Sequence, residues 1–121
     1  MCGIIGAVSE TAIQPVLDGL GKLEYRGYDS SGISLLCNDE IQTIKAQGKL
    51  SNLKQRLSQQ ALDGECCIGH TRWATHGRAS VTNAHPHQCG QVSVVHNGII
   101  ENYLQLKHQL MQWGHHFSSS T

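Results

Sequence analysis

Apolar positions along the chain change period several times. Ile4 to Val8 is a short β-prone run bounded by Gly3 and Ser9, which predicts a strand beginning almost at the N-terminus. Ile13, Val16, Leu17, Leu20 and Leu23 then recur at helical spacing. Pro15 is tolerated there because the first helical turn does not use its missing N–H, while Gly19 and Gly21 subtract from helix propensity. Ile33 to Cys37 and Ile41 to Ala46 predict two strands joined around Asn38-Asp39-Glu40 as a hairpin. From Lys49 to Leu57 the chain predicts a helix with Leu50, Leu53 and Leu57 on one face. Cys67 to Thr71 and Val92 to His96 are two further strands. The Gly-, Ser-, Thr-, Asn- and His-rich stretch from Trp73 to Gly90 between them predicts a long loop, of the kind that usually serves function. Tyr103, Leu106, Leu110 and Trp113 mark one face of a last helix, which Gly114 is placed to stop. Helices and strands mix without a βαβ rhythm or a G-x-G-x-x-G loop, so the expected class is α+β.

Composition narrows the function classes. With 121 residues, 39% hydrophobic and 15% charged, the chain has the make-up of one globular domain rather than a disordered segment. Nine basic side chains balance nine acidic ones, which leaves no global field to attract nucleic acid or an anionic membrane surface. No apolar run is long enough to span a bilayer, and the start MCGIIGAVSE lacks a secretory n-region and h-region. A cytoplasmic location is expected. Five cysteines, at 2, 37, 66, 67 and 89, include no C-x-x-C pair, and the neighbours Cys66 and Cys67 are poorly placed for a disulfide. Free thiols in a reducing compartment fit this set.

Several residues are equipped for chemistry. If Met1 is removed, Cys2 carries a thiol and a free α-amine on one residue. An α-amine has a pKa of about 7.7–8.0, low enough to serve as general base near neutral pH. Asn97-Gly98 is a strong turn signal; the same pair offers a side-chain amide and a backbone N–H to an oxyanion. His70 through Gly77, HTRWATHG, gathers donors at a strand-to-loop junction, and Arg72 has the fork that holds a carboxylate. Arg72 is equally a candidate surface cation and Trp73 a candidate core residue. His85 and His87 lie close enough to suggest a metal, but no neighbouring Cys or carboxylate completes a familiar spacing. No metal and no cofactor are expected. The stretch LEYRGYDSSG from 23 to 32 is turn-rich, and its composition shows no chemistry.

Taken together, Cys2-Gly3-Ile4-Ile5-Gly6, LEYRGYDSSG at 23–32, GHTRWATHG at 69–77, NAHPH at 83–87 and VVHNGIIEN at 94–102 resemble the class II glutamine amidotransferases. The likeness extends over essentially all 121 residues and is strongest to the branch that aminates fructose 6-phosphate. It implies an N-terminal-nucleophile fold, two antiparallel sheets packed face to face between helical layers (a four-layer αββα sandwich), of which this chain would supply the N-terminal part. It implies that Cys2 attacks the side-chain carbonyl of L-glutamine, that Asn97 and Gly98 form the oxyanion hole and that Arg72 holds the substrate α-carboxylate. Trp73, Thr75, His76 and Gly77 would belong to the glutamine-covering loop. Two departures accompany it. Ala79 stands where relatives usually carry proline, and the chain ends at Thr121, where the family continues with an aspartate for the substrate amino group. The expectation is therefore a glutaminase domain over 1–121 truncated on its C-terminal side and inactive alone. Its ammonia would serve fructose 6-phosphate in missing downstream domains of a homo-oligomeric enzyme. Ile4, Ile33 and Val95 are expected on incompletely covered apolar faces. The competing expectations are a non-catalytic fragment that retains the motifs and a metal-binding module built on His85 and His87.

Overall fold

Two antiparallel sheets of unequal size organise the chain. In the computed structural model, which describes residues 1–121, the elements run β1 (Gly3–Val8), α1 (Ile13–Leu23), a 3-10 turn (Glu24–Arg26), β2 (Ser30–Cys37), β3 (Glu40–Gln47), α2 (Leu50–Ser58), β4 (Cys66–Arg72), β5 (His87–Cys89), β6 (Val92–Val94) and α3 (Tyr103–Gln112). The larger sheet has the order β1-β4-β2-β3, with every neighbouring pair antiparallel, and β5 and β6 form a separate hairpin. The class is α+β, as expected.

Strand register sorts the side chains onto two faces, because alternate residues of a strand point opposite ways. Ile5, Gly69, Ile33 and Ile44 form one cross-strand row, and Ala7, Cys67 and Leu35 another. These rows meet Val16, Leu17 and Leu20 of α1 and Leu50, Leu53 and Leu57 of α2 in the hydrophobic core. Close approach of α1 depends on Gly69, where a Cβ would lie 2.5 Å from Val16. Ile33 is fully buried here, against the expectation of incomplete cover, because α1 and α2 close over this face. Ile4 points to the other face and is 43% exposed.

That second face is covered in part by residues 82–96. A hydroxyl chain joins the two layers: Ser93 donates to Ser34 at 2.6 Å, Ser34 and Thr43 share a hydrogen bond at 2.6 Å, and Thr43 donates to Gln88 Oε1 at 2.7 Å. Lys45 Nζ adds a bond to the Ala84 carbonyl at 2.8 Å.

The expected elements are present with adjusted edges. The β2–β3 turn has two residues, not three: Asn38 and Asp39 take φ 51° and 62°, the double-positive pattern of a type I′ turn, and Glu40 joins β3. The expected long loop contains β5, a strand that its polar residues do not announce, since it is fixed by pairing with β6 and by the Gln88 anchor. β6 stops at Val94 rather than His96, because the His96 backbone bonds to two imidazoles instead of a strand. Helix α3 ends before Gly114, at φ 89°, as expected. Its apolar stripe is uncovered, with no α3 side chain buried and the neighbouring Trp113 67% exposed.

Candidate active site

The β1–β4 ladder places the N-terminal thiol. Gly3 pairs with Thr71, so one further step along the ladder sets Cys2 across from Arg72, on the face away from the helices. Thr71 Oγ1 fixes this end of β1 by accepting from the Gly3 N–H at 3.1 Å. Cys2 Sγ in turn accepts from the Trp73 N–H at 3.3 Å, which fixes where the sulfur sits.

Arg72 is no solvated surface cation. It is 5% exposed, and one terminal nitrogen donates to the carbonyls of His76 and Gly77. The other, Nη1, is buried without any partner. A guanidinium does not shed its proton, and a buried charge left without a counter-charge is costly. An anion is the kind of ligand that would offset such a charge. Trp73 is not core either, being 52% exposed with its ring against Gly27.

The stretch whose composition showed no chemistry turns out to brace this junction. Asp29 Oδ2 accepts from the Ala74 N–H at 2.6 Å, and the Asp29 N–H donates to the Arg72 carbonyl at 2.7 Å. Gly27 supplies a positive φ of 76°, and a Cβ there would lie 2.8 Å from the Trp73 ring. Beyond Gly77 the loop is tied by Asn83, nearly fully buried. Its side chain donates to the Arg78 carbonyl and accepts from the Ser120 N–H at 3.0 Å. Sequence reasoning missed Asp29 and Asn83 as supports, because only tertiary contacts reveal their partners.

Cys2, Arg72, Trp73, Thr75, His76, Asn97 and Gly98 all line one cavity of about 890 Å³, which also runs between the β5–β6 hairpin and α3. Gly77 lies outside the wall and contributes its carbonyl to Arg72. Asn97-Gly98 does not make a hairpin turn, since no strand follows β6. Neither the Asn97 amide nor the Gly98 N–H has a hydrogen-bond partner within the chain, so both donors remain open to a ligand.

Three imidazoles, His70, His85 and His87, line the same cavity. The rings of His70 and His85 stack at 4.4 Å, and His87 meets His85 edge-on at 4.5 Å. Burial holds His70 down to about 4, with Arg72 and the neighbouring imidazoles adding to the effect and its bond to the His96 carbonyl opposing it. Burial also takes His85 down to about 3 and lowers His87. These rings pack against each other, and no three His, Cys, Asp or Glu side chains converge as a metal site.

No family model matches the chain. The whole chain is 51% identical over 122 residues to the glutamine–fructose-6-phosphate aminotransferase (isomerizing) of Mesorhizobium japonicum, and 52% identical over 124 residues to that of Caldanaerobacter subterraneus. It spans about a fifth of the length of these curated relatives, 20% in each case. Among solved structures, glutamine phosphoribosylpyrophosphate amidotransferase from B. subtilis superposes on the entire chain with a TM-score of 0.81 at 29% identity, using 27% of its own length. A second, the allosteric regulatory enzyme of purine biosynthesis, covers 97% of the chain with a TM-score of 0.71 at 25% identity, using 26% of its own length. Sequence and fold place the chain among the class II glutamine amidotransferases. Within that class, its whole length is similar to the N-terminal part of glutamine–fructose-6-phosphate aminotransferase.

Proposed function

We propose that this chain carries the nucleophile half of a glutaminase site. Cys2, freed of Met1, attacks the side-chain carbonyl of L-glutamine with its own α-amine as base. The Asn97 amide and Gly98 N–H receive the oxyanion, and Arg72 Nη1 receives the α-carboxylate. Trp73, Thr75, His76 and Gly77 form the covering loop. Collapse of the tetrahedral intermediate expels ammonia and leaves a thioester, which water cleaves to glutamate and the free thiol. In the wider protein the ammonia is delivered to fructose 6-phosphate by polypeptide outside these 121 residues, within a homo-oligomer. That polypeptide also completes the second sheet of a four-layer αββα sandwich, to which β5 and β6 contribute here.

One observation carries the reading. Arg72, whose buried Nη1 has no partner, lines the same cavity as Cys2, whose thiol accepts from a backbone N–H. That pairing suits a substrate with a carboxylate at one end and an electrophilic carbonyl at the other. The test is covalent labelling of the polypeptide processed to begin at Cys2, using a chloroketone analogue of glutamine. Labelling should fall on Cys2 and be suppressed by L-glutamine. Arg72→Lys, which keeps the charge but loses the fork, should weaken that protection. Equal labelling of Cys37, Cys66, Cys67 or Cys89, or no protection by glutamine, would remove the basis for the assignment.

A further inference from the structure

Asn97 and Gly98 sit on irregular backbone beyond the end of β6, where no ladder holds them. Their position is nonetheless specified through the preceding residue. His70 Nε2 lies 3.2 Å from the His96 carbonyl oxygen, and the His96 N–H lies 3.3 Å from His85 Nδ1. Both backbone polar groups of one residue are thus held by imidazoles. The His96 carbonyl belongs to the same rigid peptide plane as the Asn97 nitrogen, so fixing that oxygen fixes the plane that launches Asn97.

The two imidazoles are themselves anchored. His70 is fully buried on β4, the central strand that also carries Arg72. His85 rests on the sheet where Gly32 leaves room, since a Cβ at Gly32 would come within 2.3 Å of the His85 carbonyl oxygen. Lys45 holds the Ala84 carbonyl just before it at 2.8 Å. We infer that His70 and His85 are a pair of positioning residues that clamp the His96 peptide, and through it set Asn97 and Gly98 against the Cys2 cavity. The inference rests on the oxyanion role proposed for those two residues.

The clamp requires one tautomer at each ring. A neutral imidazole has one donor and one acceptor nitrogen. His70 must therefore carry its proton on Nε2 to donate to the carbonyl, which leaves Nδ1 bare, in keeping with its having no partner. His85 must be bare at Nδ1 to accept from the His96 N–H, and so is protonated on Nε2. Burial and the charges facing the pair keep both rings neutral: Arg72 from β4, His87 from β5 and His96 beyond β6, with Lys45 of β3 facing His87.

Amide side chains can reproduce one imidazole nitrogen at a time. Asparagine presents its amide near the Nδ1 position, and glutamine near Nε2. In the full 121-residue chain at pH 7, hydrogen exchange across residues 94–100 is compared by mass spectrometry. His85→Asn and His70→Gln should keep protection near that of the parent. His85→Gln and His70→Asn should speed exchange there about tenfold, the factor expected for one lost hydrogen bond, while residues 30–47 stay unchanged. Equal behaviour of the two amides at each position would overturn the clamp. If a variant loosens 30–47 as well, imidazole 15N spectra of the unmutated chain decide. Neutral Nε2–H forms at both His70 and His85 support the clamp, and an Nδ1–H form at either refutes it. These readouts involve no glutamine, so they stand or fall separately from Cys2 labelling by the chloroketone. With the clamp in place, that labelling should slow in the same two variants that lose protection.

Discussion

Gly27→Ala probes the support beneath the Cys2 thiol. Gly27 has φ 76° and ψ 141°, close to a region that only glycine occupies readily. An alanine held there is strained by about 1–3 kcal/mol. Its Cβ would also lie 2.8 Å from Trp73 Cζ3. Because the Trp73 ring is half open to solvent, it can swing away, so backbone strain dominates the cost and the ring records the event. For a domain of this size, each kcal/mol moves Tm by a few degrees, so the variant should melt about 5–10 °C lower. The assay is a urea titration in a Trp113→Phe background, where Trp73 is the sole indole. The midpoint should fall, and native-state emission should shift as the indole leaves Gly27. Cys2 should then lose reactivity, since its sulfur is bonded by the N–H of the residue displaced. Gly21→Ala is the control: it lies within α1 with nothing near its Cβ, and should add up to about 1 kcal/mol of stability. A Gly27→Ala midpoint equal to the parent's, with unshifted emission, would refute the argument.

Acid should weaken the fold through its buried imidazoles. His70 and His85 are held neutral to about 4 and about 3, whereas the unfolded chain binds their protons below about 6.5. Their stabilising contribution is therefore full well above pH 6.5 and declines as pH falls, to about pH 4 for His70 and about pH 3 for His85. His70 contributes up to about 1.4 kcal/mol per pH unit, and His85, partly open to solvent, contributes less. Urea midpoints that are flat between pH 7.5 and 4.5 would contradict this. Asn97→Asp, measured on a polypeptide that turns over glutamine, should cost about 2.7–4 kcal/mol of transition-state stabilisation, and unchanged turnover would exclude the oxyanion role. Val92, Val94, Ile99, Ile100, Leu104, Met111 and Trp113 are all more than half exposed, so the 121-residue chain should self-associate in sedimentation experiments. A monodisperse monomer would count against that.

The sheet and its two packed helices were legible in the sequence, because their side chains alternate or repeat against a core within the same 121 residues. Val16, Leu20, Leu53 and Ile33 needed no distant information to declare their periods. β5 was illegible, since His87-Gln88-Cys89 has no strand pattern and is ordered by partners on β3 and β6. The site was half legible. Cys2, Arg72 and Asn97 stand out by chemical type and by family likeness, while Asp29, Gly27 and Asn83 act through backbone atoms that no motif names. His70 illustrates the difference: its motif was conspicuous, but its bond to the His96 carbonyl joins positions 26 residues apart.

The pairing of Gly3 with Thr71 makes the address of the thiol discrete. A slip of one residue between β1 and β4 would turn Cys2 toward α1 and α2 instead of the cavity. A slip of two would restore the face but carry the sulfur about 6.8 Å along the strand, away from Arg72. No intermediate setting exists, so sequence changes in β1 should not shift the thiol by degrees. They should instead alter the fraction of molecules in which it faces the cavity at all, so the count of reactive Cys2 thiols will fall while the survivors react at the parental rate.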